Sequence, residues 1–363
     1  MTRAARPVLI MAGGTGGHVF PGIAVARQFE RLGVPVVWLG TRRGLEARLV
    51  PEAGLRIEWL EVAGLRGKGL ASLLSAPLML ARAMAQASGV FRRVRPRLAM
   101  GMGGFVSGPG GVVARAQRVP LLVHEQNAVA GMTNRMLARI ATRVFEAFPG
   151  SFPSACHAVA VGNPVRADIM NIGDPEERFA ARSGALKVLV LGGSQGARAL
   201  NEIVPLAISG MSVEVRPRVR HQAGTGMIDA ARGSYRDAGI EADVTPFIDS
   251  MSEAYAWADL VICRSGALTV SELAAAGIGS VLVPFPYAVD DHQTANARML
   301  ESHGAAIIIQ QSDLSPKALG AFLSELSGDR DRLRSMAAAA RRAAFPDAAK
   351  RLVEEALRYA RVD

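Results

Sequence analysis

The chain has 363 residues, half of them hydrophobic and 20% charged, which favours two folded domains and excludes dominant disorder. Its formal charge of 42 − 32 = +10 is lopsided: residues 1–163 carry 20 Lys or Arg and 7 Asp or Glu (+13), whereas residues 164–363 carry 22 and 25 (−3). One half is therefore suited to nucleic acid, a phosphorylated ligand or an acidic membrane surface, while two isolated cysteines, Cys156 and Cys263, exclude a disulfide scaffold or a zinc module.

In chain order, the apolar run from Val8 enters Gly13-Gly14-Thr15-Gly16-Gly17-His18, with no secretory h-region of roughly 7–15 residues before it. A continuous apolar run reads as a strand buried on both faces, in a parallel sheet covered by helices. Pro21 suits a first helical turn, so a helix is expected over Gly22–Leu32, then a strand over Val34–Leu39. The apolar stretch Leu70–Ala81 is shorter than the about 20 residues that span a bilayer, holds Pro77 and is followed by Arg82. A cytoplasmic protein is the expectation. Strands follow at Arg97–Met100, which leads into the glycine-rich Gly101–Gly111, and at Val119–His124.

The segment from Gly162 to Gly184, with Pro164 and Pro175, reads as a linker. Beyond it, Val188-Leu189-Val190-Leu191-Gly192-Gly193 repeats the opening pattern at an offset of 180 residues, so two doubly wound α/β domains in tandem are predicted. Helices near Ala197–Ile208 and Ala267–Ala276 alternate with strands near Leu260–Cys263 and Ser280–Val283, and the chain is helical from Ser315 onward. Two such domains facing one another leave a cleft at the carboxyl ends of their strands.

The first glycine loop is not a dinucleotide fingerprint: counted from Gly14 and Gly16, the third glycine position is Val19, and Thr41-Arg42-Arg43 stands where an acidic ribose ligand belongs. Nor is it a Walker A loop. Two glycine loops at strand ends in a basic half can cradle a diphosphate, or serve only as tight turns. His18, at the mouth of the first, is an acid/base candidate or a structural histidine. In the second half, Cys263-Arg264-Ser265-Gly266 turns into a helix whose first N–H groups, Ala267 to Thr269, suit an anion; Glu272 suits a diol such as ribose, or is a first-turn acid favoured by the helix dipole. Asp290 and Asp291 open another helix, as N-caps or as part of a site.

Taken together, eight collinear motifs resemble the MurG family of peptidoglycan-synthesis transferases: GGTGGHVFP (Gly13–Pro21), GLRGKG (Gly64–Gly69), GMGGFVSGPGG (Gly101–Gly111), HEQNAVAGMTN (His124–Asn134), GNPVR (Gly162–Arg166), GGSQGA (Gly192–Ala197), CRSGALTVSE (Cys263–Glu272) and DHQTAN (Asp291–Asn296). The resemblance implies a GT-B fold: residues 1–163 as an acceptor- and membrane-binding domain, 164–340 as a UDP-N-acetylglucosamine domain, and 341–363 as a helix returning to the first. It also implies an inverting transfer of N-acetylglucosamine to the 4-hydroxyl of N-acetylmuramic acid in lipid I, without cofactor or metal, at the cytoplasmic face of the inner membrane. Carried onto this chain, Ile248 meets uracil and Glu272 the ribose. Ser194 and the helix start Ala267, Leu268 and Thr269 meet the donor diphosphate, with Arg264 nearby in place of a divalent cation; Val270 and Ser271 are further substrate-binding positions, and Gln293 meets the sugar. Thr15, Gly16, Gly17, Asn127 and Arg166 line the donor side, and Gly14, Gly103 and Gly104 take the acceptor diphosphate. His18 is the candidate base, with Glu125 its rival.

Lys68, Leu73, Leu74, Leu78 and Arg82 form an expected interfacial element for an anionic membrane, against the alternative that this helix is core. The implied partners are UDP-N-acetylglucosamine, lipid I, anionic lipid, and other cell-wall and division proteins. A nucleic-acid partner is not expected, since aromatics at 5% are too sparse for base stacking. A UDP-N-acetylglucosamine epimerase of the same architecture is the alternative function.

Overall fold

A computed structural model describes residues 5–61, 70–180, 182–193 and 196–361, the side chains of 70–76 excepted. The chain divides into two units, one formed by residues up to Arg166 together with those from Asp347 on, the other by Ala167–Pro346. Among the described residues, the first unit holds strands β1 (Val8–Met11), β2 (Val36–Gly40), β3 (Arg56–Trp59), β4 (Leu98–Gly101), β5 (Leu121–Glu125), β6 (Arg143–Glu146) and β7 (Val159–Ala160) in the order β3-β2-β1-β4-β5-β6-β7. The second holds β8 (Lys187–Leu191), β9 (Arg218–Gln222), β10 (Asp243–Thr245), β11 (Leu260–Cys263), β12 (Gly279–Leu282) and β13 (Ala306–Ile308) in the order β10-β9-β8-β11-β12-β13.

Both sheets are parallel throughout. In each, the chain leaves the first strand for one neighbour and later returns to its other side: Val8 lies opposite both Val36 and Leu98, and Val188 opposite both Val219 and Leu260. That reversal of strand order is the switch point at which open α/β sheets bind ligands. The 180-residue offset is thus structural as well, since β1 and β8 occupy the same place in their sheets. The burial pattern follows from it: β1, β4, β5, β11 and β12 are buried at every residue, as strands covered on both faces must be.

Two expectations are corrected here. The first helix runs Gly16–Arg31, so Pro21 sits more than a turn inside it and Gly16, Gly17 and His18 form its opening turn. Proline lacks an N–H, and here the lost hydrogen bond is offset by burial of Pro21. The stretch 167–184 is not a free linker: it forms the short helices Ala167–Met170 and Pro175–Ala180, and Phe179 enters the core of the second unit. The helix of residues Leu70–Val94 is divided along its length. Ala83, Ala87, Val90 and Phe91 are core, whereas Leu78 is 76% exposed. The C-terminal helix Ala348–Tyr359 packs on Gly16–Arg31, placing Leu352, Val353 and Ala356 in the first unit's core.

Candidate active site

In the first unit, the loops after β1, β4 and β5 converge. Gly14 adopts φ +93° and donates its N–H to Glu46 at 2.9 Å, and the same fully buried carboxylate accepts from the Thr41 N–H at 2.9 Å and the Thr41 hydroxyl at 2.7 Å. A Cβ at Gly13 would lie 2.6 Å from the Glu46 carboxylate, so the glycine there makes room for an anion that organises the loop. Gly104, at φ +82°, approaches so closely that a Cβ would lie 2.3 Å from the Gly13 carbonyl. The two glycine loops are one backbone-on-backbone assembly. The Ser107 hydroxyl ties them again, donating to the Met11 carbonyl at 2.8 Å and the Gly103 carbonyl at 2.9 Å.

His18 lies over Gly103, where a Cβ would come within 2.5 Å of Nδ1. Its Nδ1 is 2.8 Å from Gln126 Oε1. Gln126 Nε2 stands 3.0 Å from His124 Nδ1 and 3.1 Å from the His124 carbonyl, and His124 Nε2 is 3.0 Å from the Gly162 carbonyl. Both Gln126 and His124 are wholly buried, and that burial pulls the His124 imidazole down to about 4. Glu125 turns the other way. One of its oxygens accepts from the Asn127 N–H (2.9 Å) and side-chain amide (3.1 Å), the other from the Gly131 N–H (3.1 Å) and the Asn134 amide (2.8 Å). Thr15 and Gly14 are exposed, and Arg166 stacks on Phe20 at 5.9 Å.

In the second unit, Gly192 and Gly193 follow β8, with Gly193 at φ +79°. Ser194 lies outside the described residues. The helix Ala267–Ala276 starts at Gly266 after β11 and has no capping side chain. Glu272, nearly buried, accepts from the Tyr255 hydroxyl at 3.1 Å, and the Ser271 hydroxyl donates back to the Ala267 carbonyl at 2.9 Å. Leu268 and Thr269 are half-buried in the helix's first turn, and Val270 is wholly buried. Ile248 is half-buried in the loop after β10.

Arg264 is held by several protein partners. Its guanidinium donates to the carbonyls of Val283 and Pro284, each at 3.1 Å, and to Gln311 at 2.5 Å, and it stacks on Phe285 at 5.6 Å. Those donors fasten the loop after β12, and burial lowers its pKa. That loop carries Asp290 and Asp291 at φ +54° and +47°, consecutive left-handed residues other than glycine. Each such residue costs about 1–3 kcal/mol and such strain collects at functional sites. Asp291 sits at the N-cap position of the helix His292–Ser302, yet its carboxylate accepts from the Thr294 hydroxyl and not from a helix N–H. Gln293 is fixed at one end: its carbonyl oxygen accepts from the Phe285 N–H at 2.9 Å.

Glu46, His124, Gln126 and Gly162 carry site geometry that the sequence reading did not assign individually. The available signal was polar His124-Glu125-Gln126 ending an otherwise apolar strand. Of the membrane candidates, Lys68 and the side chains of Leu73 and Leu74 lie outside the described residues. Arg82 is paired with Glu61, and among the described residues no helix is long and apolar enough to cross a membrane.

Comparison with known proteins bears on this arrangement. Residues 8–146 match the glycosyltransferase family 28 N-terminal domain, and residues 187–352 its C-terminal domain. A Nitrosococcus oceani UDP-N-acetylglucosamine–N-acetylmuramyl-(pentapeptide) pyrophosphoryl-undecaprenol N-acetylglucosamine transferase is 54% identical over 97% of this chain and 98% of its own. A Halorhodospira halophila protein of the same name is 56% identical over 96% and 97%. The crystal structure of Acinetobacter baumannii MurG superposes with a TM-score of 0.85 at 41% identity, covering 97% of this chain and 99% of that one. UDP-GlcNAc 2-epimerase from Neisseria meningitidis, at 11% identity and a TM-score of 0.68, shares the fold alone. With two parallel-sheet α/β units, both family 28 domains and near-complete coverage by relatives of one kind, the chain is a GT-B glycosyltransferase and belongs to the MurG family.

Proposed function

We infer that the protein transfers N-acetylglucosamine from UDP-N-acetylglucosamine to the 4-hydroxyl of N-acetylmuramic acid in undecaprenyl-diphosphate-linked lipid I, with inversion. The observation that carries this reading is the 54% identity to a transferase of that name across 97% of the chain. The second unit takes the donor: Ile248 beside uracil, Glu272 on the ribose hydroxyls, Ser194 and the helix start Ala267 to Thr269 at the diphosphate with Arg264 nearby, Val270 and Ser271 adjoining, Gln293 at the sugar. Gln293 suits that task because its carbonyl is already fixed by Phe285, which leaves the amide N–H₂ oriented. Gly14, Gly103 and Gly104 take the acceptor diphosphate in the basic half, where Thr15, Gly16, Gly17, Asn127 and Arg166 are further substrate-binding residues.

The reaction is a single in-line displacement. The acceptor O4–H proton passes to His18 Nε2, O4 forms a bond to the anomeric carbon, and that carbon's bond to the β-phosphate oxygen breaks, so UDP leaves with the electron pair. The positive end of the Ala267–Ala276 helix opposes the charge that develops on UDP, a task that divalent cations perform elsewhere. Of the two candidate bases, the geometry favours His18. All four acceptor positions of Glu125 are occupied by protein donors, which leaves no lone pair for a substrate proton. Glu125 instead shapes the turn that carries Asn127.

The exposed Leu78 end of the helix Leu70–Val94 supports docking on anionic lipid at the inner membrane, with Leu73, Leu74, Lys68 and Arg82 beside it in sequence. Replacing Leu73, Leu74 and Leu78 by Ser should reduce binding to anionic vesicles and leave UDP affinity unchanged; undiminished vesicle binding would refute the docking. The transfer itself is tested with radiolabelled UDP-N-acetylglucosamine and a lipid I analogue, with and without EDTA. Label is expected in the lipid product under both conditions, in a β linkage. Label retained in a nucleotide sugar would contradict the reading.

A further inference from the structure

We propose that Gln126 and His124 form a buried relay that sets the tautomer of His18, keeping the proton on Nδ1 and the lone pair on Nε2, the nitrogen left to meet a substrate hydroxyl. The inference rests on His18 being the base. The relay begins at an atom that can only accept, the Gly162 carbonyl, so His124 Nε2, 3.0 Å away, must carry a hydrogen. His124 is fully buried and resists a second proton, which leaves its Nδ1 as an acceptor.

Gln126 then has one satisfactory orientation. Its amide nitrogen faces His124 Nδ1 at 3.0 Å and the His124 carbonyl at 3.1 Å, two acceptors for its two hydrogens. Turning the amide over would set an oxygen against both of them. With the nitrogen so placed, the amide oxygen faces His18 Nδ1 at 2.8 Å, and an oxygen there requires a hydrogen on that nitrogen. The relay is held from outside as well: Asn163, next to Gly162, donates from its side chain to the main-chain carbonyl of Gln126 at 3.0 Å. Gly103 lets the imidazole lie flat against the loop, since a Cβ would collide with Nδ1. Three separate segments therefore fix one hydrogen: the helix Gly16–Arg31, the end of β5 and the chain after β7. Gln126 and His124, both buried, are positioning residues.

The test is a two-bond ¹H–¹⁵N correlation spectrum of the full-length protein labelled at histidine ring nitrogens, in mildly alkaline buffer, with His18 assigned from a His18→Asn spectrum. His18 is expected as the Nδ1–H tautomer and His124 as Nε2–H. In Gln126→Leu the His18 proton should redistribute toward Nε2, and kcat should fall about 10-fold or more while KM for UDP-N-acetylglucosamine changes less than about two-fold. An Nε2–H tautomer for His18 in the unaltered protein overturns the relay, as does a His18 tautomer that Gln126→Leu leaves unmoved. If that variant does not fold, the spectrum of the unaltered protein still decides. Full turnover by His18→Ala would remove the base assignment, whereas an impaired His18→Ala combined with the wrong tautomer removes the relay alone.

Discussion

At the scale of single residues, the base and its rival separate by what already occupies them. His18 has one nitrogen engaged and one left, so His18→Ala should lower kcat by about 10²–10⁴-fold with the donor KM changed less than about three-fold, measured by initial rates with lipid I analogue. Glu125→Gln should act through stability. It places an amide N–H₂ against donors that now share a carboxylate, costing about 1–3 kcal/mol in urea unfolding. Wild-type stability with abolished turnover would instead make Glu125 the base. His18 and the glycine loops were legible in the sequence because glycine and a loop-mouth histidine carry their conformational reasons locally. Glu46 was not: in Gly44-Leu45-Glu46 it reads as a surface acid at a helix start, and its partner Gly14 arrives from 32 residues away. The partners of Arg264 were hidden in the same way. Only the pairing of β11 with β12 brings the carbonyls of Val283 and Pro284 to it.

At the scale of elements, strand positions followed from apolar runs, whereas helix starts and the role of the segment after Arg166 did not, because they depend on what packs against them. Two features of the second unit make predictions of their own. Asp259, 1% exposed, accepts from Arg182 at 2.5 Å, Arg330 at 2.8 Å and the Lys187 N–H at 2.9 Å, joining the segment before β8 and the helix Arg330–Arg342 to the start of β11. Asp259→Ala leaves the nearly buried Arg182 without its carboxylate and should cost about 3–5 kcal/mol in denaturant unfolding; a loss within experimental error would contradict this role. In β9, His221 is buried beside Tyr235, whose hydroxyl lies within hydrogen-bond distance of Nδ1 at 2.9 Å, and burial lowers the imidazole to about 3. The unfolded chain therefore takes up a proton that the folded one refuses. The stability is whole above about pH 6.5 and is lost as the pH falls toward about 3. The fall in Tm between those limits should be shallower in His221→Phe, and an unchanged slope would show that His221 does not contribute.

At the scale of the whole molecule, the +10 charge resolves into +13 on the half proposed for an anionic acceptor and membrane and −3 on the half proposed for the donor, whose diphosphate is left to backbone dipoles. The two-domain organisation was legible as the 180-residue repeat, whose strands β1 and β8 proved to be equivalent in their sheets. The fold alone does not distinguish a transferase from an epimerase, since both adopt it. What separates them is the fate of the donor. The decisive measurement is UDP release from UDP-N-acetylglucosamine with and without a lipid I analogue. Release that requires the acceptor and equals the N-acetylglucosamine gained by the lipid is the predicted result; consumption or isomerisation of the donor at an undiminished rate without acceptor would contradict it.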